Sequence, residues 1–279
     1  MNNVVVFTVI YPDALKYVND FLCCLQSQTF KNFDLLIVND GCNTSELEMI
    51  FCNINNEIIN TTDTPAKNRE LGIKFAHNKG YEYLIFCDID DWFKDTRFDR
   101  VIEKLINYDI VVNNLNIVGE NHEILCRDYF SHSITKNSII DIQFLKDKNI
   151  LGLSNSAIRL QEKVLVEIPR EITIADWYYF TCCLENGLNV FYIEESLTDY
   201  RQHSNNLIGI DDFSPSLFKK LVLLKIKHYE YLCELFPKYK KQLSEVSELT
   251  MLSDSEISKL IEKNKLINNH PLWWENVKK

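Results

Sequence analysis

The chain has 279 residues, of which 46% are apolar and 25% charged, yet only seven are glycine and six proline. No two glycines lie within seven residues of each other, which excludes both the three-glycine dinucleotide fingerprint and the P-loop. The formal net charge of −10 argues against sequence-independent nucleic-acid binding, which relies on neutralising phosphates with lysine and arginine.

Taken in chain order, the first half alternates short apolar runs with helical patterns, the signature of βαβ units and a mainly parallel sheet. Val4–Val9 is the first expected strand, and Leu15–Leu25 follows with apolar residues at helical spacing. Asp34–Val38 is a second strand, Ser45–Phe51 a short helix and Glu57–Ile59 a third strand. Thr64 and Pro65 then open a helix as cap and first helical residue. That helix reaches about Asn78, with Gly80 beyond its end. Tyr83–Cys87 is a fourth strand and runs directly into Asp88-Ile89-Asp90-Asp91. A helix over Thr96–Tyr108 is followed by strand-like Ile110–Val118 and Glu123–Asp128, an extended segment near 151–159, a helix from about Asp176, and a strand at Val190–Ile193.

From Ser214 onward three helical stretches are expected, broken at Pro237 and near Ser253, ending on Pro271-Leu272-Trp273-Trp274. Twelve lysines against eight acidic residues give residues 215–279 a net charge of +4, leaving −14 for residues 1–214. The division this implies is an α/β body over 1–213, whose pattern changes near 118, and a helical region over 214–279. The basic, apolar run Leu217–Lys227 can lie on an anionic membrane surface, pack on the body of the protein, or meet a second subunit; packing is the expected outcome. No stretch approaches the length of a membrane span, and the amino terminus lacks the basic region of a signal peptide. Nine cysteines without a C-x-x-C pair suit reduced thiols and a cytoplasmic setting.

Ligands of open α/β sheets bind outside the carboxyl ends of the strands. Asp40 and the Asp88-Ile89-Asp90-Asp91 group lie at such ends. Three carboxylates in four residues repel one another unless protons or a cation intervene, and a divalent cation with a substrate diphosphate would meet that need. A solvated acidic turn is the competing reading of this group.

Several elements together resemble the GT-A glycosyltransferases of family 2. Val38-Asn39-Asp40-Gly41 is similar to the family's V-D-D-G-S strand end, Gln26–Phe30 to the segment before it, and Tyr11 to the tyrosine after the first strand. Asn68–Ile73 resembles A-R-N-x-G-I, Phe86–Asp91 resembles F-L-D-x-D-D, Ala175-Asp176-Trp177 the E-D element, and Tyr200–Asn206 the Y-R-x-H-x-x-N element. The resemblance covers roughly residues 1–206 and implies a catalytic unit over 1–213, with a nucleotide-binding half to about 118 and an acceptor half over 119–213. It implies a mainly parallel GT-A sheet flanked by helices, with a carboxy-terminal helical extension, and an inverting transfer from a nucleotide-diphosphate sugar, UDP-linked by preference, to a glycan or lipid-linked glycan. Bacterial surface polysaccharide synthesis, in the cytoplasm or on the inner face of the membrane, is the implied setting.

Carried over residue by residue, the resemblance makes Asp40 the reader of the base imide and Tyr11 its neighbour, and sets Arg69 beside the nucleotide or diphosphate. Asp88 borders the donor, Asp90 and Asp91 hold Mn²⁺ or Mg²⁺ and the diphosphate, and His203 adds a contact to the metal. Asp176 becomes the general base. Glu70 stands where the family has asparagine, Asn68 where it has alanine, and Ala175 where it has glutamate. These departures keep open an inactive nucleotide- or carbohydrate-binding module. A sugar-nucleotide nucleotidyltransferase fits less well, because Ile10-Tyr11-Pro12-Asp13 replaces its glycine-rich loop. The other histidines, His77, His122, His132, His228 and His270, show no H-x-x-x-H spacing, so no zinc site is expected.

Overall fold

The computed structural model describes residues 3–134, 136–203, 214–268 and 270–279. Its sheet begins with four parallel neighbours in the order β3 (Asn56–Thr61), β2 (Phe33–Asp40), β1 (Val4–Ile10) and β4 (Tyr83–Phe86). Side chains alternate across β1: Val4, Val6 and Ile10 enter one apolar layer, Val5, Phe7 and Val9 the other. This is how a strand covered on both faces reads as a continuous apolar run. Beyond β4 the sheet turns mixed. β9 (Ser156–Arg159) runs antiparallel between β4 and β6 (Ile110–Val118), and β6 pairs in parallel with β10 (Val190–Arg201). The short strands β5 (Trp92–Phe93), β7 (Ile124–Cys126) and β8 (Ser138–Ile140) add antiparallel edges.

The helices divide between the two faces. On one lie α1 (Val18–Ser27), α2 (Thr44–Ile50) and α4 (Arg97–Leu105), contributing Phe21, Leu47 and Phe98 to the core. On the other lie α3 (Pro65–Asn78), α5 (Ala175–Glu185) and the carboxy-terminal α6 (Pro215–Leu235), α7 (Lys240–Ser247) and α8 (Asp254–Ile267). Thr64 caps α3 and Pro65 opens it, as the sequence predicts. Gly72 is required by packing: a Cβ there would stand 2.2 Å from the Phe7 ring, so α3 can approach β1 only over glycine.

Three expectations change. The predicted helix over Leu15–Leu25 starts as a 3₁₀ segment, Pro12–Tyr17, before α1 begins at Val18. Only the end of the 151–159 segment is strand, because Asn149 and Asn155 fold the rest into a hydrogen-bonded loop: Asn155 Nδ2 donates to the Ile150 and Asn113 carbonyls and its Oδ1 accepts from Gly152 N–H. The strand expected to close at Ile193 continues to Arg201, with register shifts around Ser196 absorbing the interruption at Glu194 and Glu195.

The carboxy-terminal helices share one apolar cluster with α3 and α5, through Phe218, Leu221, Tyr229, Leu249, Ile257 and Trp274. The apolar stripe of α6 is therefore spent on the body of the protein. Among the described residues no helix is long and apolar enough to cross a membrane. Lys225 on α6 is buried and donates to three carbonyls, those of Asp147, Trp274 and Val277, at 2.8, 3.0 and 3.1 Å. One ammonium thus ties the end of the chain to the loop before β9.

Candidate active site

The carboxyl ends of β2, β1 and β4 lie side by side, so their exits bring Asp40, Tyr11 and Asp88 to one edge of the sheet. Asp40 is the last residue of β2, and Gly41 follows in the left-handed region at φ 91°, where glycine carries no Cβ penalty. Asn68 on α3 holds the Asp40 carboxylate: its Nδ2 donates to Asp40 Oδ2 at 3.0 Å, while its Oδ1 accepts from Thr61. The departure at 68 therefore supplies a positioning contact that alanine lacks.

Arg69, one residue on, turns to the other side. Its guanidinium lies 3.8 Å from Asp88 Oδ1, and Ser154 Oγ donates to Asp88 Oδ2 at 3.3 Å. Asp90 Oδ2 is 3.0 Å from His203 Nε2. Asp91 is turned inward: Oδ1 accepts the Arg201 N–H at 2.7 Å, while Oδ2 is buried without a hydrogen-bond partner among the described residues. Burial, and then the neighbouring Asp90 charge, pushes Asp91 well above the usual carboxylate range. Asp88 is raised by burial against the opposing pull of Arg69. Tyr11 is pushed up to about 12 by burial and by the charges of Asp90 and Asp88. Carboxylates and an imidazole are donor types that suit a hard divalent cation; of these groups Asp90 and His203 are in direct contact, Asp88 is engaged by Arg69 and Ser154, and Asp91 keeps one oxygen unpaired among the described residues.

A cleft of about 240 Å³ opens beside this group, lined by Arg69, Asp88, Ser154, Asp176, Tyr200, Trp273 and Trp274 among others. Asp176 sits in the first turn of α5, where Oδ2 accepts from Asn149 Nδ2 at 3.3 Å. Burial raises its pKa to about 6, with the Trp177 N–H and then Arg69 pulling the other way. Ala175 lines the same cleft, so the missing glutamate leaves space there.

The expected residues fall into three groups, of which Asp40 and Tyr11 stand at the exits of β2 and β1. Arg69, Asp88 and Asp176 share the cleft. Asp90, Asp91 and His203 adjoin it through Asp88 and the segment leading from β10. Ser204-Asn205-Asn206, the end of the last motif, lies outside the described residues. Glu70 faces elsewhere: it accepts from Lys67 Nζ, Lys74 Nζ and the Ile168 N–H at 2.7, 2.5 and 2.8 Å. It is a buried clamp between α3 and the segment before α5, which explains the second departure.

Other contributors escape sequence reading. Arg201 packs between the Trp92 and Tyr17 rings and pairs with Asp20, holding the end of β10 against Asp91. Buried Arg97 binds Asn113 and the Phe86 and Ser156 carbonyls, bracing the strand that delivers Asp88. Trp273 and Trp274 complete the cleft wall from the far end of the chain. The paired tryptophans were a visible signal, but nothing local says what they face.

A mixed, curled sheet with acidic residues at its strand ends beside a carboxylate-lined cleft is the arrangement of the GT-A glycosyltransferase fold. The family model "Glycosyl transferase family 2" matches residues 5–159, and the chain belongs to that family. Among curated relatives, glycosyltransferase GlyA of Streptococcus pneumoniae is 29% identical over 125 residues, 41% of this chain and 17% of that protein. The dTDP-rhamnosyl transferase RfbG of Shigella flexneri is 24% identical over 191 residues, 61% of this chain and 60% of that one. The chain therefore spans under a fifth of the first and three fifths of the second. Of solved structures, Staphylococcus aureus TarS 1–349 in complex with UDP-GlcNAc has a TM-score of 0.59 at 15% identity, covering 82% of this chain and 66% of that one. GalNAc-T7 with UDP, GalNAc and Mn²⁺ has a TM-score of 0.65 at 11% identity, covering 97% and 55%.

Proposed function

We propose that the protein transfers a sugar from a nucleotide-diphosphate donor, a UDP-sugar by preference, to a hydroxyl of a glycan or lipid-linked glycan, with inversion at the anomeric carbon. Synthesis of a surface polysaccharide is the proposed setting, in keeping with the rhamnosyl transferase among its relatives. The observation that carries this reading is one cleft containing a basic carboxylate, Asp176, opposite the Arg69–Asp88 pair.

Asp40, oriented by Asn68, accepts the N–H of a uracil or thymine imide. Tyr11 borders the base. Arg69 faces the diphosphate, its charge balanced by Asp88 until substrate arrives. Asp88 borders the donor, and Asp90, Asp91 and His203 would hold a divalent cation, whose chemistry is to neutralise charge on the departing diphosphate. Asp176 takes the proton from the acceptor hydroxyl. A pKa near 6 leaves it ionised at neutral pH yet basic enough to accept that proton. A single base on the face opposite the leaving group gives inversion, and the tryptophan wall positions the acceptor.

The test is a thermal-shift screen of nucleoside diphosphates with and without Mn²⁺, followed by assay of donor hydrolysis or transfer. Stabilisation by UDP with Mn²⁺, and turnover lost in Asp176→Asn while binding persists, is the expected result. Binding without any turnover would instead favour the inactive binding module.

A further inference from the structure

On the far side of the tryptophan wall, three residues separated widely in sequence meet. Cys126 ends β7, His132 ends the 3₁₀ segment Tyr129–His132, and His270 precedes Pro271. Cys126 Sγ lies 3.8 Å from His132 Nε2 and 3.7 Å from His270 Nδ1, and all three atoms lie within 4.8 Å of one another. The two imidazoles stack at 3.9 Å with their planes 16° apart, so one ring must turn out of the stack for both in-plane lone pairs to meet a single ion. In a tetrahedral zinc site with Zn–S of about 2.3 Å and Zn–N of about 2.0–2.1 Å, a sulfur and a nitrogen ligand stand roughly 3.6 Å apart. The sulfur-to-nitrogen distances here match that spacing. Thiolate and imidazole are also the ligand types that zinc selects, in contrast to the all-oxygen preference of magnesium.

We propose that Cys126, His132 and His270 form a zinc site, distinct from the Asp90–His203 group, with solvent in the fourth position. His132 is exposed, which gives its ring room to rotate out of the stack with His270 and close the site. Binding releases the Cys126 thiol proton to solvent as the Zn–S bond forms, and the neutral imidazoles donate lone pairs. The site does not depend on the transfer reaction. Its consequence is structural: it staples residue 270 to the β7 region 144 positions earlier. His270 leads straight into the segment whose Trp273 and Trp274 line the cleft. That segment is otherwise held by Tyr129 Oη donating to the Pro271 carbonyl, by Asn149 N–H donating to the Trp273 carbonyl, and by Lys225. Sequence spacing could not show the site, because one ligand arrives from the opposite end of the chain.

The experiment uses the full chain, stripped with a chelator, desalted and titrated with Zn²⁺ alone, with Co²⁺ as a spectroscopic probe. The expected result is one zinc retained per chain after desalting, a rise in melting temperature with Zn²⁺, and a thiolate-to-Co²⁺ charge-transfer band. Cys126→Ser and His132→Ala should each lose retained zinc and that band while keeping the wild-type circular dichroism. His132→Ala, at an exposed position, guards against a folding artefact. Equal zinc retention in Cys126→Ser and wild type, or no retention by wild type, overturns the proposal. A cobalt spectrum without the thiolate band does so too, since cobalt at the carboxylate group would lack one.

Discussion

Two regions of this molecule bury charge and treat it oppositely. At Lys225 three N–H donors meet three carbonyls, so the ammonium is satisfied from within the chain. At the Asp88-Ile89-Asp90-Asp91 turn the carboxylates lie side by side with few donors, and Asp91 Oδ2 has no hydrogen-bond partner among the described residues. Burial drives both toward neutrality: Lys225 is pulled down to about 7 and Asp91 is raised well above its ordinary range. The difference teaches which is structural. A satisfied buried charge holds the fold together, whereas carboxylates at strand ends that leave one buried oxygen unpaired suit the place where the proposed ligand would complete the balance.

The comparison can be broken at either end. The largest effect is expected at Asp176: replacement by asparagine should lower transfer by ~10²–10⁴-fold, the usual worth of a general base, with donor affinity unchanged in a titration. In the wild-type enzyme, activity should rise with pH through about 6, as Asp176 ionises; a flat profile from pH 5 to 7.5 would assign the base elsewhere. Lys225→Met keeps the stem but strands three carbonyls, so urea unfolding should show a loss of about 2–4 kcal/mol with an unchanged m-value. Glu70→Ala leaves the Ile168 N–H and two lysines unpaired, and should cost about 1–3 kcal/mol by the same measurement.

The smallest and most telling effect concerns stability at the active site. A carboxyl whose folded pKa is raised binds more protons folded than unfolded, so its contribution declines as pH rises from about 4 through about 6. Asp176→Asn should therefore be more stable than wild type above pH 6, by up to about 3 kcal/mol, and indistinguishable from it below pH 4. A destabilised variant at pH 7 would mean that Asp176 is held as a structural carboxylate, like Glu70.

Much of the first half of the chain was legible in sequence because its elements are local. β1, β2, β3 and β4 are short apolar runs, α3 carries its own cap, and the acidic turn follows β4 without a gap. The later half was less legible because its elements are defined by distant partners. β9 is extended only where β4 and β6 sandwich it, and β10 continues past Ile193 because β6 accompanies it to Val118. The departures at 68 and 70 could not be weighed from sequence, since their meaning lies in Asp40 and Ile168, neither of which adjoins them in the chain.

The sequence by itself determined that no glycine loop handles phosphate, that carboxylates stand at strand ends, and which family's motifs the first 206 residues resemble, because each of these is a matter of residue type and short spacing. Only the tertiary structure decided that α6 packs on the body of the protein, that Trp273 and Trp274 wall the cleft, and that Cys126, His132 and His270 converge. Those outcomes depend on which surfaces the chain buries against each other, and burial over separations of more than a hundred residues leaves no local periodicity to read.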